Sequence, residues 1–255
     1  MTLTASDSIR TETRGSNQIL TSIRARVDRV DWKKVHADLD LQGWSVVPRL
    51  LTLPEADLIA GLYRCEEAFR SRIVMSQHGF GRGEYKYLSY PLPPLIQALR
   101  TVTYPYLAPI ANQWHQRMRI EVQFPHDHQA FLERCHRAGQ DRPTPLLLAY
   151  GPGDYNCLHR DLYGEHVFPL QIAILLNQPG EDFEGGEFVM TEQRPRMQTR
   201  AMVLQLEKGD AAIFAVNSRP VKGVRGDYQV KLNHGVSKVY SGHRHTVGVI
   251  FHDAV

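Results

Sequence analysis

The stretch Leu146-Leu147-Leu148-Ala149-Tyr150-Gly151-Pro152-Gly153 shows the pattern that decides the fold, an apolar run ended by turn residues. Similar short runs, apolar or alternating, follow it to the end of the chain, at 167–176, 187–190, 202–206, 211–216, 228–232 and 244–252. Turn residues, mostly glycine, separate them. Seven or eight short strands at this spacing are typical of a β-sandwich or barrel. We therefore predict a β-rich core over residues 145–255.

The part of the chain before this core is predicted to be mostly helical. Thr52 followed by Glu55 fits a helix start with a proline in the first turn, and apolar residues continue as a stripe to Phe69. A second helix is expected from Pro94 to about residue 118, bent or broken at its internal prolines, and a third over about 128–138. Residues 43–48 are expected to form a short strand, and residues 78–85 a glycine-punctuated loop.

These segments predict an α+β fold class with one domain and an appended arm. Residues 1–30 are rich in Ser, Thr and Arg and are predicted to form a flexible N-terminal arm or a poorly packed helix. Residues 31–255 are predicted to form a single domain. In it, helices at 31–144 brace the β core at 145–255.

Composition limits the function classes. The 255 residues are 42% hydrophobic, which is enough for one sizeable core. A net charge of +3 does not by itself argue for a polyanionic partner. Three cysteines without a C-x-x-C pair favour neither a disulfide framework nor a thiolate zinc site. With no apolar run of about 20 residues and no signal-peptide pattern, we expect a cytoplasmic protein that does not enter a membrane.

His159-Arg160-Asp161 is the most informative tripeptide. In an extended segment, residues two apart point the same way, so His159 and Asp161 can present an imidazole and a carboxylate to one point. A second imidazole would complete two histidines and one carboxylate, the ligand set of non-haem iron(II) oxygenases. By itself H-x-D is a weak motif, since a surface strand end explains it equally well.

The second histidine must come from a later strand, and the candidates are His234, His243, His245 and His252. His234 is preferred because it lies at a strand edge beside a glycine. His243 and His245 alternate with Arg244 and should face away from it. His252 is close to the chain end, where strand residues more often face solvent.

Arg244 opens an apolar strand, where a cation needs an anionic partner. The far carboxylate of a bound diacid would serve, held by the planar guanidinium. If Ser241-Gly242 turns a hairpin, Arg244 pairs near Val239, within reach of a diacid bound at His234. The alternative is an arginine at a strand edge paired with Asp227 or Glu187.

Five elements in order then resemble the iron(II)/2-oxoglutarate-dependent dioxygenase superfamily. They are an H-x-D, a G-G-E, a G-D-x-x-x-F, a histidine and an arginine, at His159 to Asp161, Gly185 to Glu187, Gly209 to Phe214, His234 and Arg244. The order is similar to that of the prolyl-hydroxylase-like branch. The resemblance implies a double-stranded β-helix (jelly-roll) barrel, with Fe(II), 2-oxoglutarate and O2 as cofactor and co-substrates. It also implies metal binding by His159, Asp161 and His234, and co-substrate binding by Arg244.

Two narrower resemblances concern the substrate. The segment from Tyr150 to Asp161 is similar to a strand of alkylation-repair (AlkB-type) dioxygenases, which implies that Tyr150 and Thr246 hydrogen-bond 2-oxoglutarate. Their second arginine is absent here, because Ile250 stands in its place. From about Asp31 the chain also resembles a bacterial 2-oxoglutarate oxygenase family presumed to act on damaged nucleic acid.

Residues around the predicted metal site are candidates for substrate contacts. Arginines in two basic loops, at 194–200 and 219–225, could touch phosphates or form a solvated rim. Tyr85, Tyr87 and Tyr90 could stack a flipped base or pack a loop onto the core. The full set of candidate substrate residues is Asn156, Tyr163, Glu165, Arg82, Tyr85, Arg194 and Arg196.

The sequence therefore predicts a 2-oxoglutarate- and Fe(II)-dependent dioxygenase that demethylates alkylated nucleic-acid bases by oxidation. The alternative within the superfamily is a prolyl-hydroxylase-like hydroxylase of a peptide or small molecule. Outside it, a zinc hydrolase would accept the same three ligands but has no need of Arg244. A non-enzymatic barrel that binds a ligand would lack iron-dependent turnover.

Overall fold

The computed structural model describes residues 5–162 and 164–255, and for residues 5–14 it describes the backbone alone. Within these residues there are five α-helices, namely α1 (Ala5–Val27), α2 (Trp32–Gln42), α3 (Leu53–Gly61), α4 (Pro94–Arg117) and α5 (His128–Arg137). The fifteen strands of this part are β1 (Trp44–Val47), β2 (Phe69–Val74), β3 (Gly81–Arg82), β4 (Glu84–Leu88), β5 (Leu146–Tyr150), β6 (Tyr155–His159), β7 (Leu170–Leu175), β8 (Phe183–Gly185), β9 (Phe188–Gln193), β10 (Arg200–Leu204), β11 (Ala211–Ala215), β12 (Ser218–Gly223), β13 (Gly226–Val236), β14 (Val239–Gly242) and β15 (Arg244–Val249).

The strands form two large antiparallel sheets and one small one. The larger sheet has seven strands in the order β1-β11-β7-β15-β5-β4-β2. The smaller sheet has the order β10-β9-β13-β6-β3, with β12 also paired to β13. Strands β8 and β14 pair separately. Side chains from both large sheets line one cavity, which therefore lies between them.

Local sequence explains where the helices begin and end. The Thr52 side chain accepts a hydrogen bond from the Glu55 backbone N–H, and the Glu55 carboxylate accepts one from Thr52, so the capping box expected at α3 is confirmed. Gly43 ends α2 in the left-handed region at φ 85°. A Cβ there would lie 2.6 Å from Leu232 Cδ2, so both the conformation and the packing call for glycine.

Two of the helix predictions need correction. Helix α3 ends at Gly61, and Phe69 lies in strand β2, so the stripe predicted to run to Phe69 is wrong. Helix α4 runs without interruption through Pro105 and Pro109, so the break considered there is absent. Most of its residues are buried, and this packing outweighs the hydrogen bonds that the prolines remove.

Residues 1–30 were predicted to form a flexible arm or a poorly packed helix. The structure has helix α1 there, whose Ile23 and Val27 are fully buried and which packs against α4. This burial replaces the flexible arm by a packed helix over the second half of the segment. Residues 1–4 lie outside the described residues.

The division into a helical part and a β part also changes. Residues 31–144, expected to be helical support, contribute β1, β2 and β4 to the larger sheet and β3 to the smaller one. Strand β4 pairs with β5, with Tyr85 opposite Leu148, so a segment expected to be a loop lies next to the core. None of the helices that the structure describes has the length and apolar composition needed to cross a membrane.

Candidate active site

The H-x-D motif lies at the end of β6, in the smaller sheet. His159 is directly opposite His234 of β13 in the antiparallel pairing of these strands. Gly235, next to His234, lets the strands approach, since a Cβ there would lie 2.6 Å from the Asn156 carbonyl oxygen. Strand pairing thus brings together two imidazoles that are 75 residues apart in the chain.

The three predicted ligands form one cluster. Asp161 Oδ1 lies 3.5 Å from His159 Nε2, and Asp161 Oδ2 lies 3.3 Å from His234 Nε2. The imidazole centroids are 4.2 Å apart. In the described part of the chain this is the one group of three or more His, Cys, Asp or Glu side chains whose ligand atoms converge, all within 4.8 Å of one another. The other histidine candidates lie elsewhere, and His245 Nδ1 is 3.1 Å from the Asn177 side chain.

The surroundings favour the protonation states that a metal needs. Burial lowers the pKa of His159, and so does the nearby His234, so its imidazole is neutral at pH 7. Burial raises the pKa of Asp161, but the hydrogen bond from His234 and the charges of both histidines outweigh this and bring it to about 2. His159 Nδ1 lies 2.8 Å from the Cys157 carbonyl oxygen, which can only accept. Nδ1 therefore carries the hydrogen, and the Nε2 lone pair is free for a metal.

The cavity beside this cluster has a volume of about 340 Å³ and is lined mainly by apolar side chains. Arg244 of β15 and Tyr150 of β5 are opposite each other in the larger sheet and line the same cavity. Arg244 is 1% exposed, and its Nη1 donates to the Thr246 hydroxyl at 2.6 Å. Its Nε has no hydrogen-bond partner, and its guanidinium lies over the rings of Tyr150 and Phe183.

This end of the cavity suits an anion. Burial lowers the pKa of Arg244 to about 10, which leaves the side chain charged at pH 7. The Tyr150 hydroxyl is also buried without a complete hydrogen bond, and burial raises its pKa. A buried cation and a buried hydroxyl that lack partners are costly, and a carboxylate bound between them would remove that cost.

The two acidic residues that the sequence suggested as partners of Arg244 do not form an ion pair with it. Asp227 pairs with Arg117, at 2.9 Å, and Arg244 makes no ion pair with Glu187 among the described residues. The hairpin predicted at Ser241-Gly242 is also wrong, because β14 pairs with β8 whereas β15 lies between β5 and β7. Arg244 and His234 are therefore in different sheets and face the cavity from opposite sides.

The candidate substrate residues lie in different places. Asn156 and Tyr85 line the cavity, as does Tyr87. Arg82 is exposed on β3 and does not line it. Glu165 is exposed and borders a different cavity of about 250 Å³, so a place in this pocket is wrong for Glu165. Tyr163 lies outside the described residues.

Tyr90, considered for base stacking, does not line the cavity either. Its hydroxyl donates to Asp253 at 2.8 Å and accepts from Arg100 at 2.9 Å. Arg100 and Asp253 form an ion pair at 2.6 Å that is 0% exposed. Tyr90 therefore packs its loop onto the core, which was the alternative interpretation of this residue.

Three arginines of the two basic loops pair with one buried carboxylate. Glu192 is 1% exposed and accepts hydrogen bonds from Arg194 at 2.7 Å and from Arg219 at 2.5 Å, with Arg200 at 3.5 Å. Arg219 is itself 1% exposed and also donates to the Asp40 carbonyl oxygen. A phosphate contact is therefore wrong for Arg219. Arg196 is exposed and stays a candidate.

Sequence reasoning missed Gln171, which is 4% exposed and lines the cavity from β7. Its amide lowers the pKa of Asp161, yet its Nε2 makes no complete hydrogen bond. A single polar residue inside the apolar run from Leu170 to Leu175 was the available signal. Phe188 and Phe214 contact the His234 ring. Phe214 was marked in the sequence only by its place in the G-D-x-x-x-F pattern, and Phe188 was not marked by any pattern.

Comparison with models of known protein families gives a match over most of the chain. The model of an oxygenase family described as catalysing oxidative methylation of damaged DNA matches residues 83–254, which is more than half of the chain. Two uncharacterized proteins of Mycobacterium tuberculosis, from strains CDC 1551 / Oshkosh and ATCC 25618 / H37Rv, are each 46% identical over 164 residues. That match covers 64% of this chain and 70% of theirs.

Solved structures share the fold at low sequence identity. A prolyl-4-hydroxylase from Pseudomonas putida has a TM-score of 0.52 and 13% identity, covering 88% of this chain and 100% of that one. An oxidoreductase of the 2OG-Fe(II) oxygenase family from Burkholderia pseudomallei has a TM-score of 0.50 and 13% identity, covering 86% and 90%. At this identity the likeness concerns the fold and not the substrate.

Proposed function

Because the chain belongs to the oxygenase family described as catalysing oxidative methylation of damaged DNA, we propose that it oxidises alkyl groups on damaged nucleic-acid bases. The family is one of the iron(II)/2-oxoglutarate oxygenases, so the protein is an oxidoreductase that uses iron(II), 2-oxoglutarate and dioxygen. We further propose that residues 31–255 form a single oxygenase domain and that its two facing sheets are a jelly roll.

The observation that carries this proposal is that one cavity has two chemically different ends. One end has two imidazoles and a carboxylate, and the other has Arg244, Tyr150 and Thr246. Two histidines and one carboxylate on one side of a metal leave coordination positions open, as non-haem iron(II) oxygenases require. A zinc hydrolase accounts for the first end but leaves the buried cation at the second end unexplained.

Iron(II) fits the cluster formed by His159, Asp161 and His234. Its donor set matches the metal, and the hydrogen bond of His159 Nδ1 to Cys157 directs Nε2 toward the shared point. 2-Oxoglutarate fits the other end, since Arg244 and Tyr150 have buried polar atoms without partners. When bound, iron and 2-oxoglutarate together supply the activation of dioxygen and the oxidation of a substrate C–H bond.

The chain's own residues orient the reactants and exclude water. Thr246 accepts from Arg244 and fixes the guanidinium in the plane where it can meet a carboxylate. Phe188 and Phe214 pack against the His234 ring and hold its orientation. Apolar residues of the larger sheet, among them Leu148 and Ile172, line the cavity and keep water from the reacting atoms.

Aromatic side chains in the cavity lining support a nucleobase as the substrate. Tyr85 and Tyr87 line it with rings 5.5 Å apart and perpendicular, and Phe80 lies at its edge, 44% exposed. Enzymes that act on a base take it out of the stack and hold it between aromatic or apolar side chains. The alternative, hydroxylation of a peptide or small molecule, has the support of a shared fold alone.

A substrate comparison tests the proposed function. The full-length protein, loaded with iron(II), is incubated with 2-oxoglutarate and either N-methylated single-stranded oligonucleotides, proline-containing peptides or free amino acids. We expect succinate formation to rise above the substrate-free rate with the methylated oligonucleotide and not with its unmethylated counterpart. Stimulation by a peptide or an amino acid instead would refute the nucleic-acid proposal and leave the 2-oxoglutarate chemistry in place.

A further inference from the structure

Two cations without acidic partners lie near each other beside the active-site cavity, and one of them, Arg160, lines it. Arg160, between His159 and Asp161, is exposed and lines the cavity mouth. Its Nη1 reaches the Asn217 side-chain oxygen at 3.5 Å, and none of the ion pairs in the described part of the chain includes it. Lys231 of β13 is likewise in none of these ion pairs, although it is half-buried.

Strand pairing places these two residues side by side. Asn217 directly precedes Ser218, and Ser218 is opposite Lys231 in the pairing of β12 with β13. Since Arg160 contacts Asn217, its guanidinium lies over the same end of the smaller sheet as Lys231. Burial lowers the pKa of Lys231, and the nearby charge of Arg160 lowers it further.

Some cations near the sheets have acidic partners, for example Arg72 with Glu84 and Lys208 with Asp57. Here two like charges repel each other, and one of them has lost part of its hydration. An anion bound between them would relieve both costs, so the pair is poised for an anionic ligand.

The surface next to the two cations indicates which class of anion binds them. Leu158 and Leu162 are 50% and 52% exposed on either side of the H-x-D motif, and Phe80 is exposed at the same mouth. Exposed aromatic and apolar side chains beside cations are typical of surfaces that bind single-stranded nucleic acid, where bases stack and phosphates meet the charges. An acidic peptide would use the two cations but not the exposed ring of Phe80.

We propose that Arg160 and Lys231 bind a backbone phosphodiester of a single-stranded nucleic acid next to the nucleotide whose base enters the cavity. The inference rests on the proposed function and specifies its substrate class. The strand then runs along the outer edge of the smaller sheet, past the end of β6. Because Arg160 is flanked by two metal ligands, phosphate binding also sets how deeply the base reaches.

The test measures how salt weakens binding of an unmodified, fluorescently labelled single-stranded oligonucleotide to the full-length protein. Each phosphate contact on a single strand contributes about −0.7 to the slope of log K against log salt concentration. We expect the double variant Arg160→Gln/Lys231→Gln, which loses this one phosphate contact, to flatten the slope by about 0.7, and each single variant to flatten it by part of that amount. For the double variant, the affinity lost between 50 and 200 mM salt should be roughly 2.6-fold smaller than for the wild type.

Two controls isolate the charge. Arg160→Lys keeps the cation and should keep the wild-type slope, whereas a purely structural role for the guanidinium would not be rescued. Arg24→Gln removes an exposed arginine from α1, which packs against α4, and should leave the slope unchanged. A glutamate-rich peptide serves as the competing ligand in the same assay.

The outcomes separate this inference from the function on which it rests. If the wild type binds the oligonucleotide but the Arg160 and Lys231 variants keep its slope, the phosphate site is wrong and the nucleic-acid substrate stands. If the variants lose affinity for the acidic peptide and not for the oligonucleotide, the phosphate site is also overturned. If the wild type binds no oligonucleotide at low salt, both proposals fail together.

Discussion

His234 lies opposite His159 in the pairing of β13 with β6, and the centroids of their imidazole rings are 4.2 Å apart. Asp161 lies close to the Nε2 atoms of both. Two paired strands therefore hold both histidines, and the proposed third ligand, Asp161, lies two residues beyond the end of β6.

Loss of any one ligand should abolish metal-dependent turnover. Mutating a residue that only hydrogen-bonds a metal ligand typically weakens metal binding by roughly 10–100-fold. Because His159→Ala, Asp161→Ala and His234→Ala each remove a ligand itself, we expect each to weaken iron(II) binding by more than this. Metal titration together with 2-oxoglutarate consumption measures this. His243→Ala, a histidine outside the cluster, is the matched control. Undiminished turnover by His234→Ala would rule out the ligand assignment.

Arg244→Leu should raise the 2-oxoglutarate concentration needed for turnover. A charge-assisted hydrogen bond is worth roughly 1.5–3 kcal/mol, so at least about a tenfold increase is expected. Titration of 2-oxoglutarate against succinate formation measures it. Without 2-oxoglutarate, Arg244→Met should also raise the melting temperature, because it removes a buried charge that lacks an acidic partner.

An unchanged 2-oxoglutarate requirement in Arg244→Leu would mean that another cation binds the diacid. Tyr150→Phe is a finer probe of the same end. Removing its unpaired hydroxyl should raise the stability of the ligand-free protein while weakening 2-oxoglutarate binding by roughly 2–12-fold, as for a neutral hydrogen bond. Equal 2-oxoglutarate affinity in Tyr150→Phe and wild type would remove Tyr150 from the binding site.

Arg219 should be a structural residue. Because it is buried and paired with buried Glu192, Arg219→Gln should lower the free energy of unfolding by about 3–5 kcal/mol, as for one partner of a buried ion pair. Arg196→Gln, on the exposed part of the neighbouring loop, should change it by less than about 0.5 kcal/mol. Chemical denaturation measures both. A fully stable Arg219→Gln variant would return Arg219 to the list of phosphate contacts.

Stability should fall in mild acid because of two buried histidines. Burial, then the charge of Arg100, lowers the pKa of His128 to about 3, and the same causes lower that of His252 to about 4. Both are neutral in the folded protein, whereas their pKa is about 6.5 when unfolded. Their contribution is therefore complete above about pH 6.5 and is lost as the pH falls toward 4, at about 1.4 kcal/mol per pH unit for each histidine.

Denaturation curves between pH 7 and pH 4.5 test this dependence. His128 Nε2 donates to the Phe251 carbonyl oxygen at 2.9 Å, and Gln can donate in its place. His128→Gln should therefore reduce the slope of unfolding free energy against pH by about 1.4 kcal/mol per pH unit. An identical slope in His128→Gln and wild type would show that acid destabilisation comes from other groups.

The sequence was sufficient for the features that depend on local periodicity. Strands β5, β11 and β15 start where the apolar runs start, and the alternation of H-x-D placed His159 and Asp161 on one side. The convergence of His234 with them was also expected, and the structure has it. The roles of these residues as iron ligands stay predictions.

The errors arose where long-range pairing decides the structure. Strand β4 lies in the larger sheet because it pairs with β5; its residues 84–88 alternate as a strand does, but the glycines just before them led to the prediction of a loop. Arg244 was assigned to a hairpin with its sequence neighbours, but it pairs with Tyr150, 94 residues earlier. Glu192 pairs with arginines from two loops, and no spacing in the sequence indicates these ion pairs.

The most direct measurement of the central claim is the ratio of formaldehyde to succinate produced from an N-methylated single-stranded oligonucleotide. Hydroxylation of the methyl carbon gives a hemiaminal that breaks down to formaldehyde and the demethylated nitrogen, while 2-oxoglutarate is oxidised to succinate and carbon dioxide. We expect one formaldehyde for each succinate formed above the substrate-free rate, with both products lost in His234→Ala. Succinate formed at the substrate-free rate alone, with no formaldehyde from the methylated strand, would contradict the account.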